Sequence, residues 1–348
     1  MQNARRETSA FVCGLLALAA AGAAAAADEP QEWLGRMNEA LTTRNYDGVF
    51  VLMHGGRVDT MRIIHRVKDG EVMERLVSLD GSGREFVRTG TELTCYMPDK
   101  KTVLVERRPP ETTLLGTLPK FDEATGDFYR LEHVQRTRLM GRAARVIAVK
   151  PRDEFRYGYR LWIDEKTAMP LRTQLCDGGG KVIEQVQFAS LVLPATIADS
   201  EFKPQVATEG FRWLRQKGEA RQFSFAAAPA WRALRLPPGF RMTLRSAQSM
   251  PGVDGPVEHL VFSDGLASVS VFVETQSDGT KAISGPARVG SSSAFATSTN
   301  GKHVTAVGEV PPITVRTIAN SMQADDAARS RDSSPPPADF ATSGAPRR

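Results

Sequence analysis

Residues 157–164 read Tyr-Gly-Tyr-Arg-Leu-Trp-Ile-Asp, and this stretch decides the fold class of the chain. Tyrosine, leucine and isoleucine at positions 157, 159, 161 and 163 alternate with glycine, arginine and tryptophan. A period of two predicts a β-strand with one face in an apolar core. Residues 171–175 alternate in the same way, and the segment between the two stretches is too short for a crossover helix. An antiparallel meander is therefore predicted.

Similar patterns extend on both sides of this stretch. Apolar runs separated by turn residues predict further strands at 49–53, 61–67, 72–79, 85–88, 93–97, 102–107, 145–149 and 182–188. Asp80-Gly81 between two such runs is a strong hairpin signal. One helix is predicted before the strands, from Pro30 to about Asn45. The apolar residues at helical spacing in this segment are Trp33, Leu34, Met37 and Leu41.

A long loop is predicted between residues 98 and 131, where prolines and glycines prevent a long regular element. Its apolar residues are Leu114, Leu115, Leu118 and Phe121. Long loops with apolar residues often act as lids or binding loops. A loop that simply packs on the sheet explains the pattern equally well.

Composition divides residues 28–348 into four segments. Residues 28–193 are predicted to form a large domain, and the polar, proline-interrupted stretch 194–218 a bendable linker. Residues 219–324 are predicted to form a smaller strand-rich domain that ends in a helix opened by Pro311-Pro312. Residues 325–348 are rich in Asp, Ala, Arg, Ser and Pro and are predicted to be disordered.

Residues 1–27 are predicted to be a secretory signal peptide that is cleaved after Ala27. Arg5 and Arg6 form the basic region, residues 11–26 are apolar, and alanines precede the cleavage site. An uncleaved membrane anchor is the alternative, but the strongly apolar part is short for a span. We therefore expect an exported protein.

Charge and motif content exclude several function classes. The net charge is +5, and its basic residues are interspersed with acidic ones, so no nucleic-acid partner is expected. The sequence has no phosphate loop, dinucleotide fingerprint, zinc-protease motif or nucleophile elbow, and its five histidines are far apart. We expect a binding protein without enzymatic activity, cofactor or metal. Cys95 and Cys176 leave a disulfide and two buried thiols both open.

Two features favour binding. Five methionines lie in the strand region and suit either a variable apolar ligand or gaps in a core. They are Met53, Met61, Met73, Met97 and Met140. Four basic residues flank the long loop and suit an acidic headgroup or an acidic peptide, unless they are simply solvated. They are Lys100, Lys101, Arg107 and Arg108.

A succession of motifs resembles the MucB/RseB family. The motifs are Asn-Tyr-Asp-Gly-Val-Phe-Val at 45–51, the stretch 157–164 followed by Met-Pro-Leu-Arg at 169–172, Leu-Pro-Pro-Gly-Phe at 236–240, Phe-Ser-Asp-Gly-Leu at 262–266 and Gly-Glu-Val-Pro-Pro at 308–312. The likeness runs from the predicted mature N-terminus to about Met322. No single motif is specific to this family, but the order in which the motifs occur is specific to it.

The resemblance implies an α+β fold with a large LolA/LolB-like domain, in which a curved antiparallel sheet and helices enclose an apolar cavity. It implies a periplasmic protein that binds the periplasmic part of an anti-sigma factor of the RseA/MucA type and denies access to the initiating protease. Lipopolysaccharide or another envelope lipid is implied as the ligand that causes release. A periplasmic lipid or lipoprotein carrier is the alternative function. The oligomeric state stays open, a homo-oligomer included.

The strand pattern suggests residues for both binding sites. The cavity lining is predicted to include Phe50, Leu52, Ile63, Leu161 and Ile163. The partner surface is predicted to include Phe262, Leu266, Val271 and Phe272. Ordinary core packing is the alternative for each of them. If lipid and partner favour different domain arrangements, each weakens binding of the other, and the linker would supply the movement.

Overall fold

The computed structural model describes residues 29–107, 113–115, 123–215, 231–249, 256–275 and 284–324. The predicted signal peptide at 1–27 and the predicted tail at 325–348 lie outside the described residues. The last three residues of the predicted linker and parts of the long loop, including Leu118 and Phe121, also lie outside them.

The large domain is built on one twelve-stranded sheet. Its strands are β1 (Tyr46–His54), β2 (Arg57–Lys68), β3 (Glu71–Ser78), β4 (Glu85–Thr89), β5 (Glu92–Met97), β6 (Thr102–Arg107), β7 (Tyr129–Leu139), β8 (Arg142–Pro151), β9 (Gly158–Asp164), β10 (Pro170–Cys176), β11 (Val182–Val192) and β12 (Arg212–Arg215). Their order is β12-β6-β5-β4-β3-β2-β1-β11-β10-β9-β8-β7. Two antiparallel meanders therefore meet where β1 pairs with β11. The predicted antiparallel fold is confirmed, whereas this pairing was not predicted.

Helix α1 (Pro30–Thr43) packs on one face of this sheet, which we call the inner face. Proline in the first turn removes no helical hydrogen bond, because the first N–H groups of a helix have no partner within it. The predicted helix is confirmed. It buries Trp33, Leu34, Met37, Ala40 and Leu41. Each large apolar side chain withdrawn from water contributes roughly 1.5–3 kcal/mol. A one-turn helix, α2 (Glu123–Gly126), precedes β7.

Gly48 allows close packing between β1 and β11. A Cβ atom at this position would lie 2.6 Å from the Phe188 ring and 2.9 Å from the Ser190 carbonyl oxygen. Phe188 meets Phe50 edge-on, with ring centroids 5.9 Å apart. The glycine of the motif at 45–51 therefore makes room for an aromatic pair in the core.

The small domain contains a six-stranded antiparallel sheet and helix α3 (Pro312–Asn320). Its strands are β13 (Trp231–Ala233), β14 (Arg241–Ser249), β15 (Pro256–Ser263), β16 (Ser268–Thr275), β17 (Gly285–Val289), β18 (Ser292–Thr299), β19 (Lys302–Gly308) and β20 (Met322–Ala324). The sheet order is β14-β15-β16-β19-β18-β17, while β13 and β20 form a separate pair. Val315, Ile318 and Ala319 anchor α3 in the core of this domain. The predicted final helix is confirmed, and β20 follows it.

The segment predicted as a bendable linker is folded onto the large domain as far as Arg215. Asn45 Nδ2 donates to the Ala195 carbonyl (3.0 Å), and Arg66 forms an ion pair with Asp199. A 3-10 helix (Asp199–Phe202) follows, and β12 then pairs in parallel with β6. In this structure residues 194–215 are therefore held against the large domain by an ion pair and by backbone hydrogen bonds.

The helices and the two cysteines of the described residues bear on the predictions made from the sequence. Among the described residues, no helix combines the length and apolarity needed to cross a bilayer. Cys95 and Cys176 are both buried and form no disulfide with each other. Burial raises the pKa of the Cys176 thiol, so it stays protonated and unreactive at neutral pH.

Candidate functional site

The five residues predicted to line a lipid cavity lie together on the inner face. Phe50, Ile63, Leu161 and Ile163 are at most 4% exposed, and Leu52 packs at the edge of the same apolar cluster. Helix α1 covers this cluster with Trp33, Leu34, Met37 and Leu41. In this structure the five side chains are therefore part of a packed core.

Part of the predicted long loop also covers the inner face. Leu114 and Leu115 pack against the same cluster as α1. For these two residues the structure agrees with the second alternative, in which the loop packs on the sheet. An acyl chain could reach the inner face only if α1 or this part of the loop moved away.

A buried ion pair fixes the loop to the sheet beside the cluster. Glu74 Oε2 accepts a hydrogen bond from Arg88 Nη1 (3.2 Å) and another from the Leu114 N–H (3.1 Å). Burial raises the pKa of Glu74, and the positive charge of Arg88 opposes that rise. Ion pairs inside apolar surroundings are stable only when further hydrogen bonds complete them. The loop N–H supplies one of these bonds.

His65 links the same site to the end of α1. Its Nδ1 lies 2.9 Å from the carbonyl oxygen of Arg44, the residue that follows α1, and its Nε2 lies 3.9 Å from Glu74 Oε1. Its ring stacks on Tyr46, with centroids 4.6 Å apart. Burial lowers the pKa of His65 to about 4, so the ring is neutral at pH 7. Sequence analysis did not single out His65 among the five histidines.

The second notable site is the junction between the two domains. Arg156 Nη1 lies 2.7 Å from Asp264 Oδ2, and both side chains have no solvent exposure. Arg156 Nη2 donates to the Pro238 carbonyl (2.6 Å), which lies in the small domain like Asp264. The guanidinium also stacks near the rings of Phe128, Tyr129 and Phe240. One arginine of the large domain is thus enclosed by groups from both domains.

Asp264 is held from both sides of the junction. Its Oδ1 accepts the backbone N–H groups of Leu266 and Ala267, which closes the turn between β15 and β16. Its Oδ2 accepts the hydroxyl of Tyr129 (3.0 Å). Burial and the nearby carboxylate raise the pKa of Tyr129, so this hydroxyl keeps its proton and donates. The carboxylate therefore connects a turn of the small domain to β7 of the large one.

Further contacts surround this ion pair. Thr314 Oγ1 donates to the Phe155 carbonyl (2.6 Å), and Arg288 Nη2 donates to the Tyr157 hydroxyl (3.1 Å). Gly239 has a φ of +80°, and a Cβ atom there would lie 2.5 Å from the Phe128 ring. Glycine alone adopts this left-handed backbone conformation without strain and leaves room for the Phe128 ring.

A cleft of about 610 Å³ opens beside the junction. The large domain contributes the β1–β2 turn and the β10–β11 turn, and the small domain contributes the β17–β18 turn and the start of α3. Its lining includes Gly55, Asp177, Lys181, Arg288, Gly290 and Pro311. A molecule bound there would touch both domains and so respond to their arrangement.

The four residues predicted for the partner surface do not form one surface. Phe262 and Val271 are buried in the core of the small domain under α3. Leu266 packs against the core of the large domain, while Phe272 stacks on His259 at 4.5 Å. The strand alternation explains the difference, since Phe272 and Val271 point to opposite faces.

Sequence analysis missed the two residues that join the domains. Arg156 directly precedes the stretch 157–164, and Asp264 is the centre of the motif at 262–266. Both motifs were noted, but 108 residues separate the two side chains. A charged residue next to a strong strand pattern was the only local signal.

Fold and contacts together define a class of protein: a large antiparallel sheet with an apolar, helix-covered face, joined through a buried ion pair to a smaller strand domain. The family model of the MucB/RseB N-terminal domain matches residues 29–206, and the model of the MucB/RseB C-terminal domain matches residues 226–323. The chain belongs to the MucB/RseB family.

Three relatives illustrate this similarity. The chain is 34% identical to the sigma factor AlgU regulatory protein MucB of Pseudomonas aeruginosa, over 92% of this chain and 99% of that protein. The complex structure of Pseudomonas aeruginosa MucA/MucB matches with a TM-score of 0.67 and 31% identity, over 85% of this chain and 99% of that one. A crystal structure of MucB matches with a TM-score of 0.59 and 32% identity, over 87% of this chain and 99% of that one.

Proposed function

We propose that this chain is a periplasmic, non-enzymatic regulator that binds the periplasmic part of a MucA/RseA-type anti-sigma factor and protects it from proteolysis. Membership of the family and the regulatory names of its relatives support the proposal. The observation that carries it is the likeness to the structure of a MucA/MucB complex, with a TM-score of 0.67 over 85% of this chain. This likeness supports a partner of the MucA type.

The junction would supply the arrangement that the partner recognises. Loss of Asp264 would leave the buried Arg156 charge with Asp153, 2.9 Å from its Nε, as its remaining ion-pair partner, and a buried charge that loses a partner costs free energy. Arg156 and Asp264 therefore favour one relative placement of the two domains. A partner that contacts both domains would bind this placement better than others, and binding would in turn stabilise it.

An envelope lipid such as lipopolysaccharide would act on the inner face. Its acyl chains match the apolar cluster around Phe50 and Ile63, but α1 and Leu114 cover that cluster. Lipid binding would therefore require α1 or the loop to move. Because the segment up to Arg215 is fixed to the sheet, the response would have to pass through the junction instead of the predicted linker.

The direct test is a reconstituted cleavage assay. A single-pass anti-sigma factor in vesicles is incubated with the initiating protease, with and without the purified mature protein. We expect the protein to slow cleavage and lipopolysaccharide to restore it. Unchanged cleavage would remove the regulator function, and lipid transfer between vesicles without any effect on cleavage would favour the carrier.

A further inference from the structure

Strand β12 differs from the rest of the large sheet. Among the described residues it forms the one parallel pairing in that sheet, with Arg212 opposite Thr102 and Arg215 opposite Val105. All four of its side chains are exposed. Two of them are large and apolar, since Trp213 is 50% exposed and Leu214 is 40% exposed. Such residues on a sheet edge are unusual, because exposed apolar edges invite pairing with another chain.

The backbone of β12 presents hydrogen-bonding groups on its outer side. The Arg212 N–H donates to the Lys101 carbonyl (2.9 Å), so residue 212 points its backbone groups toward β6. In a strand these groups alternate in direction, so those of Trp213 and Arg215 point away from β6. No described residue pairs with this outer side. We call it, with Lys100 and Lys101, the β12 edge.

The charge of the β12 edge selects the kind of partner. Arg212, Arg215, Lys100 and Lys101 are all exposed there. Asp99, the residue before Lys100, is paired with Arg84 at 2.7 Å, and the exposed Glu209 lies three residues before Arg212, so basic residues outnumber free carboxylates here. A second copy of this chain paired in antiparallel would place arginine opposite arginine, which is unfavourable. An acidic strand would place carboxylates opposite them.

We propose that the β12 edge binds an extended acidic segment of a partner polypeptide, which adds to the large sheet as a further strand. Backbone hydrogen bonds to Trp213 and Arg215 would hold the segment, its carboxylates would meet the basic side chains, and its apolar residues would pack on Trp213. Tyr96 supports the Trp213 ring edge-on, with centroids 6.5 Å apart. The inference requires neither lipid nor protease and does not depend on the function proposed above.

The test uses a short dye-labelled peptide built on the repeat Glu-Val-Val-Glu, which places carboxylates opposite Arg212 and Arg215 and valines opposite Trp213 and Leu214, with binding to the full mature protein followed by fluorescence anisotropy. Two matched peptides serve as controls: one carries lysine in place of glutamate, and one carries N-methyl groups on alternate amides. We expect the acidic peptide to bind. The lysine peptide should not bind, and N-methylation should weaken binding about tenfold, as loss of one or two backbone hydrogen bonds would.

Two variants separate backbone pairing from charge. Arg215→Pro removes the outward N–H and the charge, whereas Arg215→Ala removes only the charge. We expect a few-fold loss in Arg215→Ala and complete loss in Arg215→Pro. Failure of the acidic peptide to bind, equal binding of the N-methylated peptide, or equal binding by both variants would overturn the proposal. A dimer of the protein alone that Arg215→Pro abolishes would also overturn it, because the edge would then serve a second copy.

Discussion

Arg156 of the large domain and Asp264 of the small domain form an ion pair of 2.7 Å from which solvent is excluded. Tyr129 donates to the same carboxylate oxygen, and the Pro238 carbonyl accepts from the same guanidinium. The pair is therefore completed by groups from both domains. This makes the relative placement of the domains a property of a few side chains, which can be changed one at a time.

Replacing Asp264 should destabilise the protein strongly. Asp264→Asn keeps the turn geometry but leaves the buried Arg156 charge with the partly exposed Asp153, 2.9 Å from Nε, as its remaining ion-pair partner, so we expect a loss of about 1–3 kcal/mol in the free energy of unfolding. The double variant Arg156→Met/Asp264→Asn should recover most of this loss, because the buried positive charge is absent and the asparagine Oδ1 can still accept the turn N–H groups of Leu266 and Ala267. Urea unfolding measures both. Equal losses in the single and double variants would show that the charge pairing is unimportant.

Gly239 should tolerate no side chain. Gly239→Ala combines a left-handed backbone with a contact of 2.5 Å to Phe128, and we expect it to cost about 2–4 kcal/mol. Gly178→Ala is the matched control, since a Cβ atom there meets nothing within 4 Å. Thermal unfolding compares the two. Similar melting temperatures would contradict the tight packing described for this junction.

The inner-face cluster should behave as a core. Leu161→Ala removes a side chain that is 2% exposed and should cost about 2–5 kcal/mol. Val192→Ala, at a position that is 58% exposed, should change stability little. Urea unfolding again reads out both. A negligible effect at Leu161 would indicate an open cavity in place of the packed face.

Acid should weaken the large domain through His65. Its pKa is about 4 in the folded chain and about 6.5 when unfolded, so the folded state disfavours the protonated ring. The contribution of the neutral His65 ring to the free energy of unfolding is complete above pH 6.5. It is lost as the pH falls from 6.5 toward 4, and the total loss is about 3 kcal/mol at most. Glu74 acts in the opposite direction, because a raised carboxyl pKa favours the folded state as the pH falls.

The measurement is urea unfolding between pH 7 and pH 4.5. His65→Phe keeps an aromatic ring on Tyr46 and should flatten the pH dependence. His133→Phe changes an exposed histidine and should keep the slope of the wild-type protein. A wild-type slope that survives in His65→Phe would assign the acid sensitivity to other groups.

Local patterns predicted the elements well, and long-range contacts explain what they missed. The alternation at 157–164 identified β9, and the helical spacing of Trp33, Leu34 and Met37 identified α1. Both were predictable because the burial of one face requires apolar residues to recur at the period of the strand or helix. The folded course of the segment 194–215 could not be predicted, because its polar residues bind charges on β2 to β4 that lie far away in sequence. Alternation also cannot tell a core face from a partner surface, which is why Phe262 and Val271 were misassigned.

The most direct test of the central claim is a calorimetric titration of the purified protein with the periplasmic part of a MucA/RseA-type anti-sigma factor. The wild-type protein should bind, and Asp264→Asn should bind at least about tenfold more weakly, because the preferred domain arrangement is less populated. The double variant Arg156→Met/Asp264→Asn controls for overall stability. No binding by the wild-type protein, or equal affinity in Asp264→Asn, would contradict the account.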